Sequence, residues 1–229
     1  MNALIIAACA TAYAAIHSWL ASQCVKDRTR RAFGKSTDRW YRLAYNLVAG
    51  VMLLPLLALL FWLPDEPLYV IPAPWLWLAL LVQAAAATGS VYGIWITDGL
   101  HFLGMRQLLG GDCPAPCGSP LFSIVPCLRK GAQGDRPPLA IYGLYRWVRH
   151  PLYLLGLIFM WASSRMTINT TTLFAVFSIY LYVGTFFEEE RLIAEHGEAY
   201  RKYQRQVPRL FPWRGPVRVR LPAPPLRVQ

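Results

Sequence analysis

The sequence predicts an all-α integral membrane protein with five transmembrane helices, N-terminus outside and C-terminus cytoplasmic, and three observations carry that prediction. The 229-residue chain is 55% hydrophobic and only 15% charged, with a mean hydropathy of +0.33, more apolar and less charged than a soluble domain. Its apolar runs recur at close to the length needed to cross a bilayer, about 20 residues each. Its arginines gather beside those runs, whereas the connection Pro64–Pro74 carries Asp65 and Glu66 and no basic residue. The net charge of +11 is therefore read as membrane orientation and not as a nucleic-acid surface. Spans consume most of the length, so a single membrane domain over residues 1–229 is expected.

In chain order, Asn2–Gln23 is uncharged and is followed at once by Lys26, Arg28, Arg30 and Arg31. No basic residue precedes it, so it reads as a retained first span and not as a cleaved leader. His17 lies within it and is expected to find a partner on another helix. Val25–Trp40 is a basic cytoplasmic loop, and Tyr41–Leu63 is the second span, kinked at Pro55. Trp75 and Trp77 open the third span, which ends near Thr97, at the level of an interfacial aromatic belt.

Residues 98–150 form a cytoplasmic loop, with His101–Gly110 a short helix on the membrane surface and Gly111–Pro138 irregular. Cys113, Cys117 and Cys127 fall one ligand short of a closed zinc site and have no histidine beside them, so no metal is expected. On the reducing side of the membrane they are read as free thiols. Pro151–Ser163 is a short fourth span, Ser164–Ile168 turns the chain, and Asn169–Phe187 is the fifth. Spans four and five make a helical hairpin. The arginine-rich tail 188–229 is cytoplasmic, and Arg165 is the one basic residue on the outer side.

Two stretches hold the purposeful polar residues. In GLYRWVRHPLY, residues 143–153, proline suits the first position of a helix and leaves the amides of Leu152, Tyr153 and Leu154 without intrahelical partners. Such an end, next to Arg149, attracts a carboxylate or phosphate, although a basic residue there also suits membrane anchoring. The second stretch, Glu188, Glu189 and Glu190, puts negative charge at the end of an apolar helix, where the helix dipole opposes it. On a continuing helix Glu189, His196, Tyr200 and Tyr203 share a face, with Gly197 placed to break it. The alternative is a solvated helix ion-paired through Arg191 and Arg201.

The order G-x-Y-x-x-V-R-H-P-x-Y, then E-E, then G-x-x-Y-x-x-Y and V-P before a terminal tryptophan resembles the integral membrane methyltransferases related to isoprenylcysteine carboxyl methyltransferase. HSWLAS near the start, YRLAYNLVAG (41–50), LGMRQLLG (103–110) and PPLAIYGLYRWVRHPLY (137–153) most resemble the NnrU-like and methanethiol S-methyltransferase branch. The resemblance covers the chain except for about 111–136, which looks like an insertion. It implies S-adenosylmethionine as methyl donor, held on the cytoplasmic side of a bacterial inner membrane by the hairpin and the tail helix. Gln107, Pro137, Pro138, Leu139, Ala140, Tyr145, His150, Pro151, Leu152 and Tyr153 match cofactor-contacting segments, and Glu188 matches the acidic residue that completes the site.

Prenylcysteine enzymes carry an arginine four residues before that acid, where this chain has Gly184. The departure favours a small or lipid-soluble acceptor, above all a thiol, which needs little beyond deprotonation and proximity to the methyl group. Arg149, Tyr153 and Glu189 are the candidate catalytic residues, with Tyr145, His150, Tyr153 and Glu189 open as the base. A prenylcysteine or lipid-amine methyltransferase, an NADPH-dependent membrane reductase and a non-catalytic NnrU-like membrane protein are the competing readings.

Overall fold

The computed structural model describes residues 1–96, 103–105, 141 and 143–217. Gln107, Pro137–Ala140 and the loop cysteines lie outside the described residues. The described elements are α1 (Asn2–Ala21), α2 (Gln23–Phe33), α3 (Thr37–Trp62), β1 (Pro67–Val70), α4 (Trp75–Ile96), α5 (Pro151–Trp161), β2 (Arg165–Thr167), α6 (Ile168–His196) and α7 (Glu198–Gln206), with 3-10 turns at Gly34–Ser36 and Gly143–Arg146. The chain divides into two compact units, one holding described residues 1–96, 103–105 and 156–181 and the other 141, 143–155 and 182–217.

In the first unit, α1 ends because Ser22 takes an extended conformation and starts α2, its hydroxyl accepting from the Val25 amide. The stretch expected as a loop from Val25 is thus helical to Phe33. Its arginine-rich sequence has few apolar residues and so resembles a loop, and capping by the Ser22 hydroxyl supplies the helix start. Ile6 and Ala10 of α1, Leu56 of α3 and Leu173 of α6 form the buried core. His17 meets Tyr45 of α3, Nε2 to hydroxyl 2.6 Å, so the intramembrane ring has the interhelical partner expected of it. Gly104 packs on α3 so closely that a Cβ would lie 2.5 Å from the Leu43 amide nitrogen, and its φ is +88°; only glycine satisfies both.

The acidic connection is more than an orientation signal. Asp65 Oδ1 accepts from the Asn169 amide at 3.0 Å, which caps the start of α6 with a carboxylate where the helix dipole favours one. Beyond it β1 and β2 pair antiparallel, Pro67 opposite Thr167 and Val70 opposite Arg165, a two-stranded correction to an all-α expectation. Asn2 Nδ2 donates to Pro64 O at 2.7 Å, so the N-terminus, the 64–70 connection and the start of α6 share one end of this unit.

Among the described residues, four stretches are long and apolar enough to cross a membrane, α1, α2–α3, α4 and α6, and only 6–11% of their most apolar windows is buried. Large apolar side chains such as Leu47, Val51, Phe61, Leu81, Val91 and Ile179 face outward, the pattern lipid requires and water penalises. The expected fourth span, 151–163, is instead the 11-residue α5, about 16 Å long against a hydrocarbon core of about 30 Å. Helix α6 departs the other way. Its 29 residues run about 43 Å, so Glu188–His196 continue as helix beyond a span of about 20 residues that begins at Ile168.

The second unit is built on Tyr200, Tyr203 and Val207, packed by Ile141, Leu192, Ile193 and Val217. Gly197, at φ +58°, separates α6 from α7, the break its sequence position predicts.

Candidate functional site

The site lies wholly within the second unit. Pro151 starts α5 and the His150 carbonyl accepts from the Leu154 amide at 3.1 Å, closing the first turn. The two residues before it pair with the tail as a short ladder, the Arg149 amide donating to Pro208 O at 2.9 Å and the His150 amide to Arg209 O at 3.1 Å. Tyr203 adds a third tie by donating its hydroxyl to Tyr145 O at 2.7 Å. These bonds bring residues about sixty apart in sequence onto the same helix end.

Glu189 is the centre of the cluster. Its Oε1 accepts from Arg149 Nε at 2.7 Å and lies 3.1 Å from His150 Nε2. Its Oε2 accepts from Gln204 Nε2 and from Arg209, each at 2.9 Å. An ionised carboxylate offers about four lone-pair positions, so Glu189, with its side chain 4% exposed, is saturated. Arg149 also donates to Gln204 O at 2.7 Å and Val207 O at 2.9 Å, which caps the last carbonyls of α7 with a cation, as the dipole there favours. The Arg209 guanidinium rests 3.8 Å over the Phe186 ring, a cation–π contact.

His150 stands between two acids, with Nδ1 3.4 Å from Glu188 Oε2 and Nε2 3.1 Å from Glu189 Oε1. Burial alone would lower its pKa, but the hydrogen bonds and charges of Glu188 and Glu189 outweigh burial and raise it. Both ring nitrogens then serve as donors, the state two flanking carboxylates select. The Tyr153 ring stacks on the imidazole at 5.4 Å and 13°, and Tyr153 hydrogen-bonds Glu188. Glu188 differs from its neighbour in exposure, its side chain being 45% accessible. Burial pushes the Tyr200 and Tyr203 phenols far up, so both remain neutral donors.

Of the residues singled out from sequence, Arg149, His150, Pro151, Tyr153, Glu188 and Glu189 come together here, with Leu152 on the same first helical turn and Tyr145 joined through its carbonyl. Gln204 and Arg209 were not singled out. Arg209 was counted only as a marker of the cytoplasmic side, and nothing in Q-x-x-V-P-R distinguishes a buried arginine from a surface one. Beside the cluster lies an open hollow of ≈ 480 Å³ lined by Arg149, Glu189, Glu198, Arg201, Gln204, Arg205 and Arg209, in which four cations face two acids.

Helices of this length and apolarity, together with a charged cluster in a separate compact unit, define a multi-pass membrane protein with a polar site. Compared with known proteins, the chain is similar to bacterial proteins called methanethiol S-methyltransferase, in agreement with the branch its motifs resemble. It is 39% identical over 84 residues to one from Bradyrhizobium diazoefficiens, covering 37% of this chain and 30% of that protein. It is 45% identical over 71 residues to one from Mycobacterium tuberculosis, covering 31% and 29%. With one from a Pseudomonas species the similarity is 28% over 206 residues and extends across 89% of this chain and 71% of the relative. In the first two the match spans less than a third of the relative's own length. No family model matches the chain, and no solved structure does.

Proposed function

We propose that this protein is a membrane methyltransferase that uses S-adenosylmethionine to methylate a small thiol such as methanethiol. The observation that carries the reading is the similarity, over 89% of the chain, to a protein named for that reaction. The donor set of the cluster fits the cofactor's chemistry. Glu188 keeps an accessible carboxylate for an ammonium or a hydroxyl group, and the flanking arginines favour a carboxylate.

Glu188, His150 and Tyr153 would hold the cofactor, with Tyr145, Pro151 and Leu152 lining the same helix start. Gln107 and Pro137–Ala140 remain part of the proposed site through their motif match alone. S-adenosylmethionine held there would supply its sulfonium methyl group to the acceptor sulfur, with S-adenosylhomocysteine and a proton as the other products. Glu189 and Arg149, both candidates for catalysis from the sequence, are assigned here to holding the site, because every lone pair of Glu189 is already used. That leaves Tyr153 as the residue proposed to meet the acceptor. A thiol tolerates so sparse a set, since its anion is a strong nucleophile once formed and alignment supplies much of the remaining acceleration.

The test is incubation of detergent-purified protein with S-adenosylmethionine and methanethiol, following dimethyl sulfide and S-adenosylhomocysteine in equal amounts. Calorimetric titration with S-adenosylhomocysteine and with NADPH runs beside it. Binding of NADPH alone, or no thiol-dependent product, overturns the reading.

A further inference from the structure

Arg209 touches the cluster in three ways at once. Its guanidinium donates to Glu189 Oε2 at 2.9 Å, the same group lies 3.8 Å over Phe186, and its main-chain carbonyl accepts from the His150 amide at 3.1 Å. Its neighbours Val207, Pro208 and Leu210 are buried, so the segment is packed and not draped. Glu189, held on one oxygen by Arg209 and Gln204, presents the other to Arg149 and His150. His150 in turn faces Glu188, the accessible acid of the cluster.

We propose that Arg209 is a positioning residue for the methyl-donor site, acting through Glu189 to fix His150 and, through His150, the orientation of Glu188. The proposal rests on the methyltransferase reading for its ligand but not for its internal linkage. The charged and titratable groups facing His150 are Glu188 and Glu189 from α6, the adjoining Arg149, and Tyr153 on its own helix. With Arg209 gone, Glu189 Oε2 keeps only Gln204, so the carboxylate loses its charged anchor on that side and turns from the imidazole, and the ring loses part of the field that keeps it protonated.

The experiment compares Arg209→Ala and Arg209→Lys with Arg30→Ala, a control at an exposed residue paired with Asp38 in the first unit. The expected result is S-adenosylhomocysteine affinity about tenfold weaker in Arg209→Ala, intermediate in Arg209→Lys, which keeps a donor for Glu189, and unchanged in Arg30→Ala. A second measurement needs no ligand: the titration of the His150 ring, followed by carbon-13 histidine resonances and assigned with a His150→Gln sample. Its midpoint is expected to fall in Arg209→Ala. A rise, as simple removal of a nearby cation would give, or no change overturns the proposal, as does wild-type affinity in Arg209→Ala. If Arg209→Ala does not fold, Arg209→Lys carries both measurements with the same signs. Absence of binding by the wild-type protein sinks the methyltransferase reading and leaves the His150 titration to decide the linkage.

Discussion

Replacing Glu189 with glutamine removes one charge and exchanges an acceptor for a donor at the most heavily hydrogen-bonded point of the second unit. Two donors face each oxygen, Arg149 and His150 on one side and Gln204 and Arg209 on the other. Whichever way the new amide is turned, its NH2 group meets two donors. The least costly arrangement points it at Gln204, whose own amide flips to offer oxygen, and leaves the Arg209 guanidinium without its anion. Breaking a buried ion pair on one side costs about 3–5 kcal/mol, and the bonds kept through the flipped amide place this case near the lower end. At about 2–4 °C per kcal/mol for a chain of this length, the midpoint of thermal unfolding in detergent should fall by roughly 6–12 °C. Glu190 is exposed, and Glu190→Gln should stay within about 0.5 kcal/mol of wild type, or less than about 2 °C. Intrinsic tryptophan fluorescence follows both variants at pH 7. If the two midpoints agree within about 2 °C, Glu189 is not the keystone described here.

Glu188→Gln tests the other acid of the pair: loss of a charge-assisted hydrogen bond, about 1.5–3 kcal/mol, should weaken S-adenosylhomocysteine binding roughly tenfold to a hundredfold, whereas Glu190→Gln should leave it near wild type. Equal small losses would return the acidic run to a solvated surface role. The raised His150 pKa sets a pH dependence: its stabilisation is fully present below the unfolded value of about 6.5 and is lost as pH rises through the folded value. The difference in unfolding midpoint between wild type and His150→Gln should therefore shrink from pH 6.5 upward, and a constant difference refutes the linkage. Arg149→Lys, with an ammonium in place of a fork that reaches Glu189 and two carbonyls at the end of α7, should lose cofactor affinity while still inserting in the membrane; unchanged affinity would return Arg149 to a simple anchoring role. Reporter fusions at Arg30, Asp65 and Arg214 should read cytoplasmic, external and cytoplasmic; a cytoplasmic reading at Asp65 overturns the orientation.

What the sequence carried well was local. Apolar length placed α1, α3 and α4 to within a few residues, Gly197 marked the break before α7, and His150-Pro151 marked the start of α5, because each depends on residues next to one another. What it carried poorly was decided by partners far away. A three-residue strand such as Arg165–Thr167 exists only because Pro67–Val70 lies beside it, and no period in either stretch announces the pair. The fifth span was placed to end where its apolar composition ends, while the helix itself continues to His196 as the shared face of Glu189 and His196 requires, and on that continuation Glu188 and Glu189 meet His150, Arg149 and Arg209. The dipole argument put that acidic run at a helix end, whereas the helix ends at His196; it is burial that makes Glu189 need counter-ions, and composition had no means of choosing them among the many arginines of the tail. The choice fell on Arg209, which the pairing of Pro208 and Arg209 with Arg149 and His150 brings to the carboxylate. Main-chain pairing thus selects the counter-ion, and the counter-ions use up the carboxylate of Glu189. The consequence for function runs opposite to first intuition. The most deeply held acid of the cluster is the one least able to take a proton, which in the proposed reaction leaves the accessible Glu188 to meet the cofactor and Tyr153 to meet the acceptor.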